Sequence, residues 1–182
     1  MAGRGVTRDS TVRPGSTAAV TIDDAGPDEA RAIAAMQTRV ADDLTRRYGR
    51  GHWSAAVTES SVLRAMGASR VLVARYGDTL AGTLRLVTKK PWAIDPAYFA
   101  AVRRPLYLLS MAVEPARQRT GIGTRLLAEA RVVGAQWPAD AIRLDAYDSA
   151  AGAGSFYAKC GYREVGRVTY RSVPLRYFEL LL

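Results

Sequence analysis

Val113-Glu114-Pro115-Ala116-Arg117-Gln118-Arg119-Thr120-Gly121-Ile122-Gly123-Thr124 joins two segments of opposite periodicity. The apolar run Leu106 to Val113 leads into it and reads as a strand. Pro115 cannot donate to a ladder, so the strand should end there. After Thr120 the apolar positions are Ile122, Leu126, Leu127, Ala130, Val133 and Trp137, which fall on one helix face. The turn between them carries two glycines and the free backbone N–H groups of a helix N-terminus. Such a turn can hold an anion, because unsatisfied donors point outward and the helix dipole adds positive potential. Gly121 and Gly123 lack Cβ atoms, so a bulky anion can approach the backbone. Arg117 and Arg119 add mobile positive charge. The stretch predicts a strand–loop–helix phosphate cradle, although two glycines alone fit a plain turn equally well. A Walker loop requires Gly-Lys-Ser/Thr, and this turn has no lysine. A dinucleotide fingerprint requires three glycines, and only two are present.

Gln118-Arg119-Thr120-Gly121-Ile122-Gly123 does fit the pattern Gln-x-x-Gly-x-Gly after an Ala-Val-x-Pro strand end. It resembles the acetyl-CoA pyrophosphate loop of the GNAT N-acetyltransferase superfamily. A second segment, Phe156-Tyr157-Ala158-Lys159-Cys160-Gly161-Tyr162, is similar to the FYxKxGF segment near that family's C-terminus, with Tyr162 replacing the usual Phe. The motifs come in the family's order, separated by the strand-like run Ile142 to Ala146. The resemblance runs from Thr17 to the C-terminus and is sharpest from Leu106 to Val168. It implies an α/β fold: one GNAT-like domain over 17–182, with a mixed, mostly antiparallel sheet of about seven strands, a central splay and about four flanking helices. Residues 1–16, polar and without periodicity, read as a flexible N-terminal tail.

Composition sets the outer bounds. At 182 residues and 48% hydrophobic content, one packed domain is expected. No apolar run is long enough to span a bilayer, and the N-terminus lacks a signal peptide's apolar core, so a cytoplasmic protein is expected. Cys160 stands alone, which excludes an intrachain disulfide. His52 is the only histidine, so no His/Cys zinc cluster can form and no metal is expected. The formal charge of +9 would permit nucleic-acid binding, but the basic residues are scattered. No helix-turn-helix, finger or RNA-recognition signature accompanies them, so no nucleic-acid partner is expected.

In chain order, Ala18 to Ile22 reads as a short strand. Asp23 or Asp24 can cap a helix with Pro27 in its first turn, an apolar face of Ile33, Met36, Val40 and Leu44, and a stop at Gly49. Arg50 to Thr58 reads as a loop and Glu59 to Met66 as a second helix. Arg70–Arg75 and Thr79–Val87 form a hairpin about Tyr76-Gly77-Asp78, with Gly82 marking a bulge or a close approach. Thr88 to Pro105 is longer than the usual connection of about 4–6 residues. It predicts a surface excursion with a short helix near Pro96–Val102, serving as a substrate lid, a packed connection or a homodimer contact. After the central helix come the strand Ile142–Ala146, the Asp148–Gly154 turn, the helix of Tyr157, and an antiparallel pair, Tyr162–Tyr170 and Leu175–Leu182. No internal repeat occurs.

The resemblance also implies a chemistry. Acetyl transfer from a thioester to an amine requires alignment of the two, a donor for the tetrahedral oxyanion, and a proton for the leaving thiolate. The co-substrate acetyl-CoA would lie in the splay between Leu106–Val113 and Ile142–Ala146. The backbone of Met111, Ala112 and Val113 would pair with its pantetheine arm, one amide polarising the thioester carbonyl. Backbone N–H groups from Gln118, Arg119, Thr120, Gly121, Ile122, Gly123 and Thr124 would hold the pyrophosphate. Tyr157 takes the position of the family's general acid, and a phenol with a pKa of about 10 stays protonated at neutral pH. A role limited to packing and hydrogen-bonding the sulfur is the alternative. The general base is open: the strand position often acidic in relatives is Ser110, leaving Glu59, Asp145, Asp148 or a water chain. The acceptor amine, of a small molecule or a protein, should meet Arg50–Thr58, Thr88–Pro105 and Tyr170–Pro174. Those loops carry Trp53, Trp92, Tyr98, Tyr170, Lys89, Lys90 and Arg171. The expected activity is an acetyl-CoA-dependent N-acetyltransferase; a non-catalytic acyl-CoA-binding regulatory module is the alternative.

Overall fold

The computed structural model describes residues 19–182, so the expected tail at 1–16 lies outside the described residues. Its strands are β1 Val20–Asp24, β2 Arg70–Tyr76, β3 Thr79–Val87, β4 Pro105–Val113, β5 Ala141–Tyr147, β6 Arg163–Tyr170 and β7 Val173–Leu181. Its helices are α1 Ala30–Tyr48, α2 Glu59–Met66, α3 Ile122–Gln136 and α4 Gly154–Lys159. The strands form one seven-stranded sheet in the order β1-β2-β3-β4-β5-β7-β6. Only the β4–β5 pair is parallel. This is the predicted mixed, mostly antiparallel sheet with four helices. No helix among the described residues is long and apolar enough to cross a membrane.

Alternation along the strands decides which helix covers which face. Leu72, Leu84, Leu86, Leu106, Leu108, Ile142, Leu144 and Phe178 share a core with Ile122, Leu126, Leu127, Ala130 and Val133 of α3 and with Tyr157 of α4. The opposite face divides into two clusters. Val71 and Val73 pack under Ala30, Ile33 and Ala34 of α1 and Val62 of α2. Val87, Tyr107 and Tyr177 pack under Ile94 and Phe99. Gly82 meets both expectations. A register irregularity lies beside it in the β2–β3 ladder, and a Cβ there would stand 3.0 Å from Leu126 and 3.1 Å from Ile122. The glycine lets α3 sit close on the sheet.

Two local expectations are corrected. Asp23 and Asp24 do not cap α1 but lie in β1, which begins and ends two residues later than predicted. They pair instead with Arg75 and Arg70 of the neighbouring strand, at 3.1 Å and 2.6 Å. The α1 entry is held by the Gly26 N–H, which donates to Glu29 Oε2 at 3.0 Å, and by Pro27 in the turn between. The helix expected near Pro96–Val102 shrinks to a 3-10 turn at Pro96–Tyr98, and Phe99 is extended. Tertiary contacts take over there. Phe99 packs on Tyr177, the Ala100 N–H donates to Glu179 Oε2 at 3.2 Å, and Arg143 Nη2 donates to the Ala100 carbonyl at 2.5 Å. Thr88–Pro105 is therefore a packed connection, anchored by Ile94 and Phe99, and it lines neither part of the central cleft.

The splay follows from strand register. The β4 and β5 ladders match only at Pro105–Tyr107 with Ala141–Arg143. Beyond that β5 keeps its pairing with β7 as far as Tyr147, while β4 stays with β3. The β4 strand holds an extra residue where the β3 register slips, and Ser110 there has φ +51. A bulge increases local twist and bends its strand, here away from β5.

Candidate active site

The splay opens into a cleft of about 620 Å³, with an adjoining space of about 360 Å³ between the separating strands. Met111 and Tyr157 line both. At the outer end stands the turn between β4 and α3. Gly121 is the residue before α3, at φ +87, and a Cβ there would meet nothing. The backbone N–H groups of Arg119 through Thr124 have no partner among the described residues. At a helix N-terminus such donors are unsatisfied until an anion or water meets them. The cradle thus has the donor set and the open approach that a pyrophosphate requires.

The predicted residues divide according to what each can offer. Met111, Ala112, Val113, Gln118, Arg119, Gly121, Gly123 and Thr124 all line the cleft. Gln118 Nε2 donates to the Val113 carbonyl at 3.3 Å, tying the loop to the end of β4. Thr120 and Ile122 do not line it. The Thr120 hydroxyl donates to the Arg117 carbonyl, and the Ile122 side chain is buried in the core, so what these two residues can offer a ligand is their unpartnered N–H groups. Arg117 is not mobile: its guanidinium lies over the Tyr76 ring at 4.0 Å. Of the two arginines, only Arg119 lines the cleft, with no side-chain partner among the described residues.

Where β4 parts from β5, its edge facing the splay has no ladder partner. An unpaired strand edge accepts an extended chain as an added strand. The bulge at Ser110 turns the backbone of that edge, and Gln37 Nε2 of α1 approaches the Ser110 carbonyl at 3.5 Å.

Tyr157 projects from α4 to the junction of the two spaces. Its ring is wedged among Phe156, Tyr162 and Phe178, and its hydroxyl lies 3.7 Å from Met111 Sδ, a weak acceptor. Burial pushes the phenol well above its usual pKa, and the Asp145 charge adds to the shift. The hydroxyl therefore keeps its proton at any working pH.

Among the three carboxylates, geometry favours Asp145. It sits on β5 in the opened part of the splay, and burial raises its carboxyl above the ordinary range. Glu59 lies exposed in the first turn of α2. Asp148 is held by Arg167 at 3.3 Å. The acceptor-side aromatics disperse. Trp53 stacks edge-on against Tyr147, which lines the inner space, at 5.6 Å. Tyr98 packs on Tyr177, Trp92 is fully in solvent at 87% exposure, and Lys90 Nζ caps the Pro91 and Ile94 carbonyls.

One wall escaped the reading of the sequence. Val40, Leu44, Arg47 and Tyr48 of α1 line the cleft, opposite Ala150–Ala153 and Phe156. Val40 and Leu44 belong to the apolar stripe of α1, which periodicity assigns to the core. Ile33 and Met36 of that stripe are indeed buried, whereas Val40 and Leu44 remain partly exposed and line the cleft.

A family model described as "Acetyltransferase (GNAT) domain" matches residues 67–164, more than half of the chain. No curated protein matches it. Solved structures share the fold at low identity. The chain is similar to yncA from Salmonella typhimurium with its cofactor acetyl-CoA, at 18% identity and TM-score 0.65, over 90% of this chain and 94% of that one. A GCN5-related N-acetyltransferase from Rhodopseudomonas palustris gives 18% identity and TM-score 0.69 over 92% and 99%. A ribosomal-protein-alanine N-acetyltransferase from Brucella melitensis gives 18% and 0.67 over 89% and 99%.

Proposed function

Because the chain belongs to the GNAT acetyltransferase family, we propose that residues 17–182 form one N-acetyltransferase domain whose splay holds acetyl-CoA and passes its acetyl group directly to a primary amine. The observation that carries this reading is the alignment of three features along one cleft. These are the unpartnered N–H groups of Arg119–Thr124, the unpaired edge of β4, and the Tyr157 hydroxyl at the inner end. A protein that only sequestered the ligand would need the first two but not a phenol hydroxyl at the inner end of the cleft.

Acetyl-CoA supplies the thioester, whose C–S bond is exchanged for a C–N bond to the amine. Arg119 through Thr124 bind the pyrophosphate with backbone N–H groups, assisted by the Arg119 side chain. The expected Gln118 N–H is not available, because it donates to the Pro115 carbonyl at 3.4 Å. Met111, Ala112 and Val113 align the pantetheine arm, and a β4 N–H near the Ser110 bulge polarises the thioester carbonyl. Asp145 takes the proton that the attacking amine must lose, and its raised pKa brings it nearer to the working pH than an ordinary aspartate. Tyr157 returns a proton to the departing sulfur and is reprotonated from solvent. The acceptor approaches from the face of the sheet that carries Asp145, Tyr147 and Trp53.

An amine panel incubated with acetyl-CoA and followed by release of free thiol tests the proposal. Amine-dependent thiol release, with the acetyl group recovered on nitrogen, is the expected result. Acetyl-CoA binding with no transfer to any small amine or peptide N-terminus would count against it.

A further inference from the structure

Among the described residues Arg85 is a cation without a counter-ion. It lies in the middle of β3, directly opposite Val71 of β2 and Leu109 of β4. On that face Val71 belongs to the cluster under α1 and α2, and Val87 to the cluster under Ile94 and Phe99. The Arg85 side chain therefore stands between the two. Its Nε is buried with no hydrogen-bond partner among the described residues. Every other described arginine that is not exposed has a partner: Arg70, Arg75, Arg143 and Arg176 pair with carboxylates, and Arg117 lies over Tyr76. Burial, with no carboxylate to offset it, pulls the Arg85 pKa down, although a guanidinium stays charged at working pH. A half-buried charge that is left unpaired costs stability. A bound anion would relieve that cost.

The position of Arg85 indicates which anion. Arg85 itself lines neither space of the cleft, but Leu109, its cross-strand neighbour, lines the inner one together with Asp145. Leu109 and Asp145 stand on the same face of the sheet, since both Leu109 and Tyr177, the register partner of Asp145, belong to the Ile94–Phe99 cluster. From β3 to β5 is two strand spacings, about 10 Å, plus the opening of the splay. We infer that Arg85 recognises an anionic group on the acceptor, a carboxylate or a phosphate, set back from the amine that reacts beside Asp145. The fork of a guanidinium fits either group through two parallel hydrogen bonds. The acceptor class is then an amine bearing an acidic group, rather than a simple alkylamine or polyamine. This inference rests on the splay being the transfer site.

The test measures melting temperature with N-acetyl amino acids, as product mimics, against their carboxamides, and O-phosphoethanolamine against ethanolamine. Each pair is run with and without CoA on the native protein, R85M and R85K. A ligand that binds only the folded state raises the melting temperature. The acid of at least one pair should stabilise the native protein more than its neutral counterpart. That difference should shrink in R85K and vanish in R85M. Which pair responds distinguishes a carboxylate from a phosphate. R85M without ligand should melt at or above the native temperature, since an unpaired charge has been replaced by an apolar chain. Equal responses to acid and neutral ligands, no response to any acid, or a difference that survives in R85M would overturn the inference. So would an R85M protein that melts well below R85K, which would make Arg85 a structural residue. The arms without CoA decide the anion site alone, and a native protein indifferent to CoA would count against the transfer site instead.

Discussion

Arg143 and Glu179 face each other across β5 and β7, Nε to Oε1 at 3.0 Å, with their side chains 4% and 1% exposed. Both also bond the backbone of Ala100, and the Arg143 guanidinium lies over Phe99 at 4.8 Å. The pair thus ties the Thr88–Pro105 segment to the sheet beside the splay. Removing one member leaves a buried charge unpaired, which costs about 3–5 kcal/mol. Glu179→Gln should lose stability on that scale in urea unfolding. An apolar double replacement, Arg143→Met with Glu179→Leu, should recover much of the loss. A Glu179→Gln protein as stable as the native one would contradict this account.

The same anchorage predicts the behaviour of the segment under protease. Limited proteolysis of the native protein should spare Ile94 to Ala100 whether or not acetyl-CoA is present, because Ile94 and Phe99 are buried. In Glu179→Gln, cleavage there should become fast. Ligand-dependent protection in the native protein would restore the lid.

The cradle is tested by adding negative charge. Gly121→Asp or Gly123→Asp places a carboxylate among the free N–H groups. At Gly121 the φ of +87 adds backbone strain, and at Gly123 a Cβ would come within 3.0 Å of Phe156. Acetyl-CoA at about 100 times its Kd should stabilise the native protein by about 2.7 kcal/mol. Calorimetry should show that gain lost in both variants. A retained gain in both would remove the pyrophosphate from this loop.

Tyr157→Phe keeps the ring in its place among Phe156, Tyr162 and Phe178 and removes only the hydroxyl. A general acid acts mainly in the transition state. The variant should therefore lose about 10²–10⁴-fold in kcat, with acetyl-CoA affinity nearly unchanged. Weaker binding at constant kcat would make the residue a ligand contact instead.

Asp145 links pH to both rate and stability. Its carboxyl is raised in the fold by burial, so the folded state favours the protonated form. Its contribution to stability is thus fully present below the unfolded pKa, about 3.9, and is lost as pH rises through the higher folded value. Asp145→Asn should be more stable than the native protein near neutral pH and should lose that advantage in acid. Activity runs the opposite way, because a base must be ionised: kcat/KM should climb with pH through the raised pKa. In Asp145→Asn that limb should disappear with most of the rate. An unchanged pH profile in the variant would pass the proton to water.

Much of this architecture is written in local patterns. The switch from a strand ending at Pro115 to the 3.6-residue stripe of α3, with Gly121 and Gly123 between, suffices to place a turn whose N–H groups are free. The reason is physical: a helix N-terminus exposes its N–H groups whatever surrounds it. The position of Tyr157 is equally local, since it lies one residue after Phe156 in a recognisable segment. Tertiary structure decided the remainder. The periodicity of α1 gives Ile33 and Val40 the same character, and only the parting of β4 from β5 makes one of them core and the other cleft wall. Asp145, Asp148 and Glu59 are alike as sequence, and burial in the splay singles out the first. Pro96–Val102 had the makings of a helix until Tyr177 and Glu179, some 80 residues away, drew Phe99 and Ala100 into extended contact. Spacing along the chain carries backbone periodicity, whereas burial and pairing depend on which strands meet, and β4 and β5 meet for only three residues.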